Sequence, residues 1–152
     1  DKQGTETYEY KDGHTAKVDL VAKYMNGANV IVNYKFTVKN EGEVAGYATY
    51  GSFRPFPANL YTVEHSVYVH EDHHRKGIGE KLMKRLIEHA KNRGIKTMVG
   101  SIDATNIASI RAHEKLGFTY SGTIKNAGYK FGKWLDLAFY QLDLPGPFEG
   151  KR

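Results

Sequence analysis

The chain contains no cysteine, one tryptophan, three methionines and four prolines in 152 residues. Without cysteine there are no disulfides, no thiolate metal ligands and no cysteine nucleophile. No run of about 18 apolar residues occurs, so no membrane-spanning helix is expected. Internal repeats and low-complexity tracts are missing too. The first residues, Asp1 to Thr5, lack the basic-then-apolar order of a secretory signal. Together these absences fit a cytoplasmic protein. Charge imbalance is moderate. The formal net charge is +5, with Lys and Arg spread along the chain and one denser run at Arg75–Arg93. Such a run is a solvated helix face more often than a nucleic-acid surface. Neither nucleic acid nor membrane is expected as a partner.

What is present has a globular balance, 40% hydrophobic and 26% charged, in a length suited to one domain. Residues 1–14 and 145–152 read as flexible ends, although Thr7-Tyr8-Glu9-Tyr10 has strand character. Ala16–Asn26 places Val18, Val21, Ala22 and Met25 at helical spacing and predicts a short amphipathic helix. Asn29–Val38 and Val44–Phe53, joined by Lys39-Asn40-Glu41-Gly42-Glu43, predict a hairpin. Pro55 and Pro57 make Arg54–Tyr61 a loop. Thr62–Val69 reads as a strand, with Val63, His65, Val67 and Val69 on one face and Glu64, Ser66 and Tyr68 on the other. Leu82, Met83, Leu86, Ile87 and Ala90 form a helical stripe that Gly94 ends. A strand follows at Lys96–Ile102. Asn106–Leu116 is a helix with Ile107 and Ile110 inward, stopped by Gly117. Phe118–Lys125 and Leu135–Leu144 are strands, connected through Gly128–Trp134. The order predicts an α/β (α+β) fold, a mixed sheet flanked by helices.

The motif of interest is His74-Arg75-Lys76-Gly77-Ile78-Gly79. A Gly-x-Gly turn that opens a helix after a strand turns bare N–H groups outward, and the helix dipole adds positive charge there. Phosphate suits such a turn; a plain helix start fits it equally well. Position 82 is Leu, which excludes a dinucleotide-binding Gly-x-Gly-x-x-Gly, and Glu80 after Gly79 excludes a Walker loop.

The stretch resembles the acetyl-CoA signature of the GCN5-related N-acetyltransferase (GNAT) family, with His74 where that family has Arg or Gln. Further on, "DATNIASIRAHEKLGF" is similar to the family's second cofactor motif. "TVEHSVYV", "AHEKLGF" and "GYKFGKWLDL" resemble the phosphinothricin and methionine sulfoximine acetyltransferase branch. The resemblance runs from about Val44 to Leu144. The first forty residues depart from it, which implies a shortened or atypical N-terminal strand–helix unit.

The resemblance implies a splayed strand pair that binds acetyl-CoA as cosubstrate. Val67 and Val69 would offer main-chain groups to the pantetheine, with a bulge near Val67 and the splay after Val69. His74, Arg75, Lys76, Gly77, Ile78 and Gly79 would hold the pyrophosphate. Asn106 and Ser109 would contact the cofactor, although Asn106 also suits a helix cap. Glu64 would be the general base, or else an ion-paired strand residue. His113 would give a proton to the leaving sulfur, or else be a core histidine. Arg54 would clamp a substrate carboxylate unless it is a surface residue. Phe56, Tyr61, Tyr68, Lys130 and Trp134 would line the acceptor pocket, unless Trp134 is core. His70, His73 and His74 are close in sequence, but they do not form a metal-ligand pattern and no metal is expected. The implied reaction is transfer of acetyl from acetyl-CoA to the primary amine of a small amino-acid-like acceptor, by direct attack in a ternary complex. A homodimer is implied too. A weakly catalytic CoA-binding module and a peptide or protein N-acetyltransferase are the alternatives.

Overall fold

The computed structural model describes residues 2–9, 15–25, 31–40, 43–71 and 77–147, with side chains described at 34–39, 43–71 and 77–147. Its strands are β1 (Lys2–Glu9), β2 (Thr15–Met25), β3 (Ile31–Asn40), β4 (Glu43–Ser52), β5 (Thr62–Val69), β6 (Thr97–Asp103), β7 (Thr119–Lys130) and β8 (Lys133–Asp143). Helix α1 (Ile78–Asn92) follows β5, and α2 (Ile107–Lys115) follows β6. One sheet runs in the order β1-β2-β3-β4-β5-β6-β8-β7. Among the described residues, β5–β6 is the one parallel pair, and the others are antiparallel.

The hairpin β3–β4 and the strand at Thr62–Val69 match the sequence reading. So does α1, whose Leu82, Met83, Leu86 and Ala90 are buried under the sheet beside Phe36, Val38, Ala48 and Tyr50. Burying a leucine of this kind stabilises by about 1.5–3 kcal/mol. Gly94 ends the helix with φ +79, a conformation that costs glycine little. Gly117 does the same after α2 with φ +98.

Three expectations are corrected. The helix expected at Ala16–Asn26 is not found where the segment is described; Thr15–Met25 is a strand between β1 and β3. The segment also alternates with period two, and the register sets Val18, Leu20 and Ala22 opposite Val38, Phe36 and Tyr34. Those partners are buried, so pairing outweighs the helical spacing. Ile107, expected inward, is 51% exposed, because it occupies the first turn of a short helix; Ile110 does pack on the core. Gly128–Trp134 is not a long connection. Strands β7 and β8 extend to Lys130 and from Lys133, joined by Phe131-Gly132 with φ +53 and +73, as a two-residue hairpin turn requires.

Candidate active site

The site forms where β5 and β6 part. Their parallel pairing covers Thr62–His65 against Thr97–Gly100 and stops there. Beyond it, β5 continues along β4 to Val69↔Gly46, while β6 continues along β8 to Asp103. The splay therefore begins after His65, four residues earlier than expected. The β4–β5 register runs without a shift from Ser52↔Val63 to Gly46↔Val69, so the expected bulge near Val67 is absent.

The ladder also fixes which main-chain groups enter the gap. Phe53 N–H donates to Thr62 O, and His70 N–H donates to Ala45 O. Even-numbered residues of β5 thus bond β4. The amides of Val63, His65 and Val67 turn to the other side. For Val63 and His65 that side is β6; for Val67 it is the opening.

Helix α1 begins beside this opening. Gly77 caps it in the left-handed region (φ +75) and has no side chain of its own to bond the first turn. The first intrahelical bond is Lys81 N–H to Gly77 O, which leaves the N–H groups of Ile78, Gly79 and Glu80 without an acceptor inside the helix. A methyl at Gly79 would stand 3.4 Å from Val69 Cγ2 and narrow the space between α1 and β5. His74, Arg75 and Lys76 lie outside the described residues, as does His73.

Helix α2 closes the other side. Asn106 caps it, with Oδ1 accepting Ser109 N–H at 3.2 Å. A cleft of about 290 Å³ lies between Val67 of β5, Gly79, Glu80 and Met83 of α1, and Ser109, Ala112, His113, Lys115 and Leu116 of α2. Lys115 Nζ reaches Glu80 Oε2 across its edge at 3.4 Å. Hydrogen bonding to Lys84, with the charge of Lys115, holds the Glu80 carboxyl below the usual range. A second hollow, about 470 Å³, borders Val67, Tyr68, Val69, His70 and Glu71.

Glu64 is on β5 opposite Val99 of β6, and its Oε2 accepts a hydrogen bond from Ser101 Oγ at 3.0 Å. His113 reaches inward. Its Nδ1 stands 2.7 Å from Ser109 O and its Nε2 stands 2.9 Å from His65 Nε2. His65 is 5% exposed, with Nδ1 at 3.1 Å from Val99 O. Burial pushes the His65 pKa down to about 4, helped by the charge of His113 and opposed by the Val99 carbonyl. Burial also lowers that of His113, against the pull of the Ser109 carbonyl. Gly100 makes room for the two rings: a Cβ there would fall 2.5 Å from His65 Cε1.

The acceptor-side residues are more dispersed. Arg54 is exposed, its guanidinium 5.6 Å from the Phe53 ring. Phe56 is exposed, and Tyr61 O accepts the N–H groups of Lys96 and Thr97 at the start of β6. Tyr68 leans on Tyr47 at 5.3 Å and faces the second hollow. Lys130 stands beside the hairpin turn, 5.1 Å above the Phe131 ring. Trp134 is 66% exposed against Tyr129, so it is not a core residue. Arg54, Phe56, Tyr61, Lys130 and Trp134 line neither of the two hollows.

His65, Ser101 and Gly100 were not singled out from the sequence. For His65 a signal existed: an imidazole among valines on the buried face of a strand needs polar partners. Ser101 and Gly100 carried none, because their neighbours come from β5 and α2.

A parted parallel strand pair, an uncapped glycine helix start beside it and a cleft between them define a cofactor-binding acyltransferase fold. The chain belongs to the acetyltransferase (GNAT) family, whose model matches residues 5–118. It is 44% identical over 150 residues to an L-methionine sulfoximine/L-methionine sulfone acetyltransferase of Salmonella typhimurium, covering 92% of this chain and 86% of that protein. A protein of the same description from Pseudomonas paraeruginosa is 52% identical over 103 residues, covering 68% of this chain; the match spans only 60% of that relative's length. The crystal structure of a GNAT superfamily phosphinothricin acetyltransferase from Sinorhizobium meliloti, in complex with AcCoA, aligns with TM-score 0.71 at 33% identity, covering 79% of this chain and 64% of that one.

Proposed function

We propose that the protein transfers acetyl from acetyl-CoA to the primary amine of a small amino-acid-like acceptor of the methionine sulfone, methionine sulfoximine or phosphinothricin type. The observation that carries this is the cleft opened by the parting of β5 from β6 beside the bare start of α1. The residues present suit CoA. The β5 edge at Val67 offers main-chain groups to an amide-bearing arm, as an added strand would use them. The N–H groups at Ile78, Gly79 and Glu80 suit a pyrophosphate, with Gly77 leaving room beside them and the charges of Arg75 and Lys76 close by in sequence. Ser109 stands on the far wall of the cleft, and Asn106 caps the helix that carries it.

Bound there, acetyl-CoA supplies an activated thioester. Glu64, oriented by Ser101, takes the proton of the attacking amine, directly or through a water. Val67 N–H, turned into the opening, is the donor for the developing oxyanion. His113 provides the proton for the departing sulfur. The amine attacks directly in a ternary complex; a cysteine acyl-enzyme is impossible without cysteine. Arg54 holds the acceptor carboxylate, and Phe56, Tyr61, Tyr68, Lys130 and Trp134 shape its surroundings. Since Lys130 and Trp134 stand at the tip of the β7–β8 hairpin, they reach an acceptor pocket most simply across a homodimer contact. The apolar surface at Tyr129, Phe131 (89% exposed) and Trp134 supports that assembly. The same reading takes the chain as one cytoplasmic domain.

The test is to incubate the protein with acetyl-CoA and a panel of methionine sulfone, methionine sulfoximine, phosphinothricin and a peptide, following free CoA. Release with at least one of the three amino-acid analogues is expected. Tight acetyl-CoA binding without turnover would favour a binding module. Turnover with the peptide alone would overturn the acceptor class.

A further inference from the structure

The two histidines pose a proton-counting problem. Three contacts tie them: His65 Nδ1 to Val99 O, His113 Nδ1 to Ser109 O, and Nε2 to Nε2. The two carbonyl oxygens can only accept, so each Nδ1 must carry a hydrogen. A neutral imidazole has one N–H, which is then spent. The two Nε2 atoms would face each other as bare lone pairs at 2.9 Å. Shifting either ring to the other tautomer moves the conflict to a carbonyl. Two neutral rings own two protons, and three hydrogen bonds need three. Only a pair that carries one extra proton satisfies the geometry.

The surroundings hold the rings in this arrangement. His65 is buried, Gly100 lies against both rings, and Phe118 packs 5.3 Å from His65 and edge-on to His113 at 5.0 Å. His113 alone of the two borders the cleft. The titratable groups on the packed elements are few. Tyr50 of β4 stands opposite His65, but its hydroxyl is engaged with His89 of α1 and with Arg93 just past the end of that helix. Tyr140 of β8 stands opposite Gly100. Glu64 is adjacent on β5 and so on the other face. Glu114 and Lys115 flank His113 on α2, and Lys115 is drawn to Glu80.

We propose that His65 is a positioning residue for His113, and that the pair holds a single proton between its two Nε2 atoms at the wall of the cleft. The depressed pKa of His65 agrees with uptake of one proton but not two, since a second charge there meets both burial and the charge already on His113; the first proton, on His113, works against burial and is favoured by the Ser109 carbonyl. The use of that proton rests on the acetyl-transfer reading above. As the new N–C bond forms and the C–S bond breaks, the electron pair goes to sulfur. The thiolate is a stronger acceptor than His65 Nε2 and takes the proton from His113 as S–H. The amine proton goes to Glu64. The pair returns to neutral and is refilled from solvent.

The test uses the full chain labelled with 15N-histidine and titrated from mildly basic to acid pH by NMR. The two Nε2 signals should move together, with a scalar coupling across an N–H···N bond once one proton has entered. In His65→Gln the amide can donate to His113 Nε2 without any extra proton. That variant should lose the coupling, lower kcat on the order of tenfold, keep KM for acetyl-CoA, and shift the basic limb of the kcat profile to lower pH, since one pKa unit is a tenfold change in proton occupancy. Imidazoles that titrate independently without coupling would overturn the proposal, and so would a His65→Gln pH profile superimposable on the wild type. A wild type without acetyl transfer would instead remove the acetyltransferase reading and leave the NMR result as the judge of the shared proton.

Discussion

Gly100→Ala is the most direct probe of how tightly the site is packed. In the parallel register Gly100 sits opposite His65, and on its other side it faces Tyr140 of β8. A Cβ built there falls 2.5 Å from His65 Cε1, 3.2 Å from His65 Nε2 and 3.2 Å from His113 Nε2. Carbon atoms do not approach to 2.5 Å, so a ring or the backbone must move by about an ångström. Neither ring can swing clear cheaply, because each is held at Nδ1 by a carbonyl and both pack on Phe118. Overfilling a packed core costs about 1–3 kcal/mol. For a chain of this size that lowers Tm by roughly 2–4 °C per kcal/mol, so a fall of about 4–8 °C is the central expectation. Thermal and urea unfolding of Gly100→Ala, His65→Ala and the double variant make a cycle. Since His65→Ala removes the clashing ring, the double variant should be more stable than the sum of the single changes by about 1–2 kcal/mol. A Gly100→Ala protein as stable as the wild type, or strictly additive changes, would refute the packing described for these rings.

Other outcomes follow from the same arrangement of residues. Glu64→Gln should keep acetyl-CoA affinity and lose about 10²–10⁴-fold in kcat/KM at neutral pH; an unchanged value would remove Glu64 as the base. Ser101→Ala withdraws the hydroxyl at 3.0 Å from Glu64 and should lower kcat about fivefold, the worth of one hydrogen bond near 1 kcal/mol, with acetyl-CoA binding intact by calorimetry. Leu86→Ala, in the buried stripe of α1, should cost about 2–5 kcal/mol in urea unfolding. His65 gives the fold an acid sensitivity of definite sign. Its folded pKa near 4 lies below the unfolded value of 6.5, so the unfolded state binds the proton first. Stability is therefore complete above pH 6.5 and is lost as pH falls from there toward 4, by roughly 3 kcal/mol; His65→Gln should flatten that slope.

Much of the fold was legible because it rests on short-range chemistry. The apolar stripe of α1 and the glycines at 94 and 117 set both helices and their ends. Alternation set β3, β4 and β5 within a residue or two. The error at Thr15–Met25 has a physical source: Val18, Val21, Ala22 and Met25 satisfy a helical period, while Val18, Leu20 and Ala22 satisfy a strand period. Only the buried face of β3 across the register chooses between them. The long β7–β8 hairpin was hidden for a related reason, since Phe131 is an unusual residue for a turn position with φ +53.

The site divides in the same way. By itself the sequence determined a glycine turn that opens a helix after a strand, a second helix capped by Asn106, and a family resemblance that pointed to Glu64 and His113. Those features depend on residues near one another in the chain. Tertiary structure decided where β5 leaves β6, which main-chain amide turns into the opening, and that Trp134 stays exposed. It alone joined His65 to His113, 48 residues apart, across a parallel strand crossover. Proton sharing depends on which carbonyl meets which ring nitrogen, and no local pattern of residues encodes that meeting.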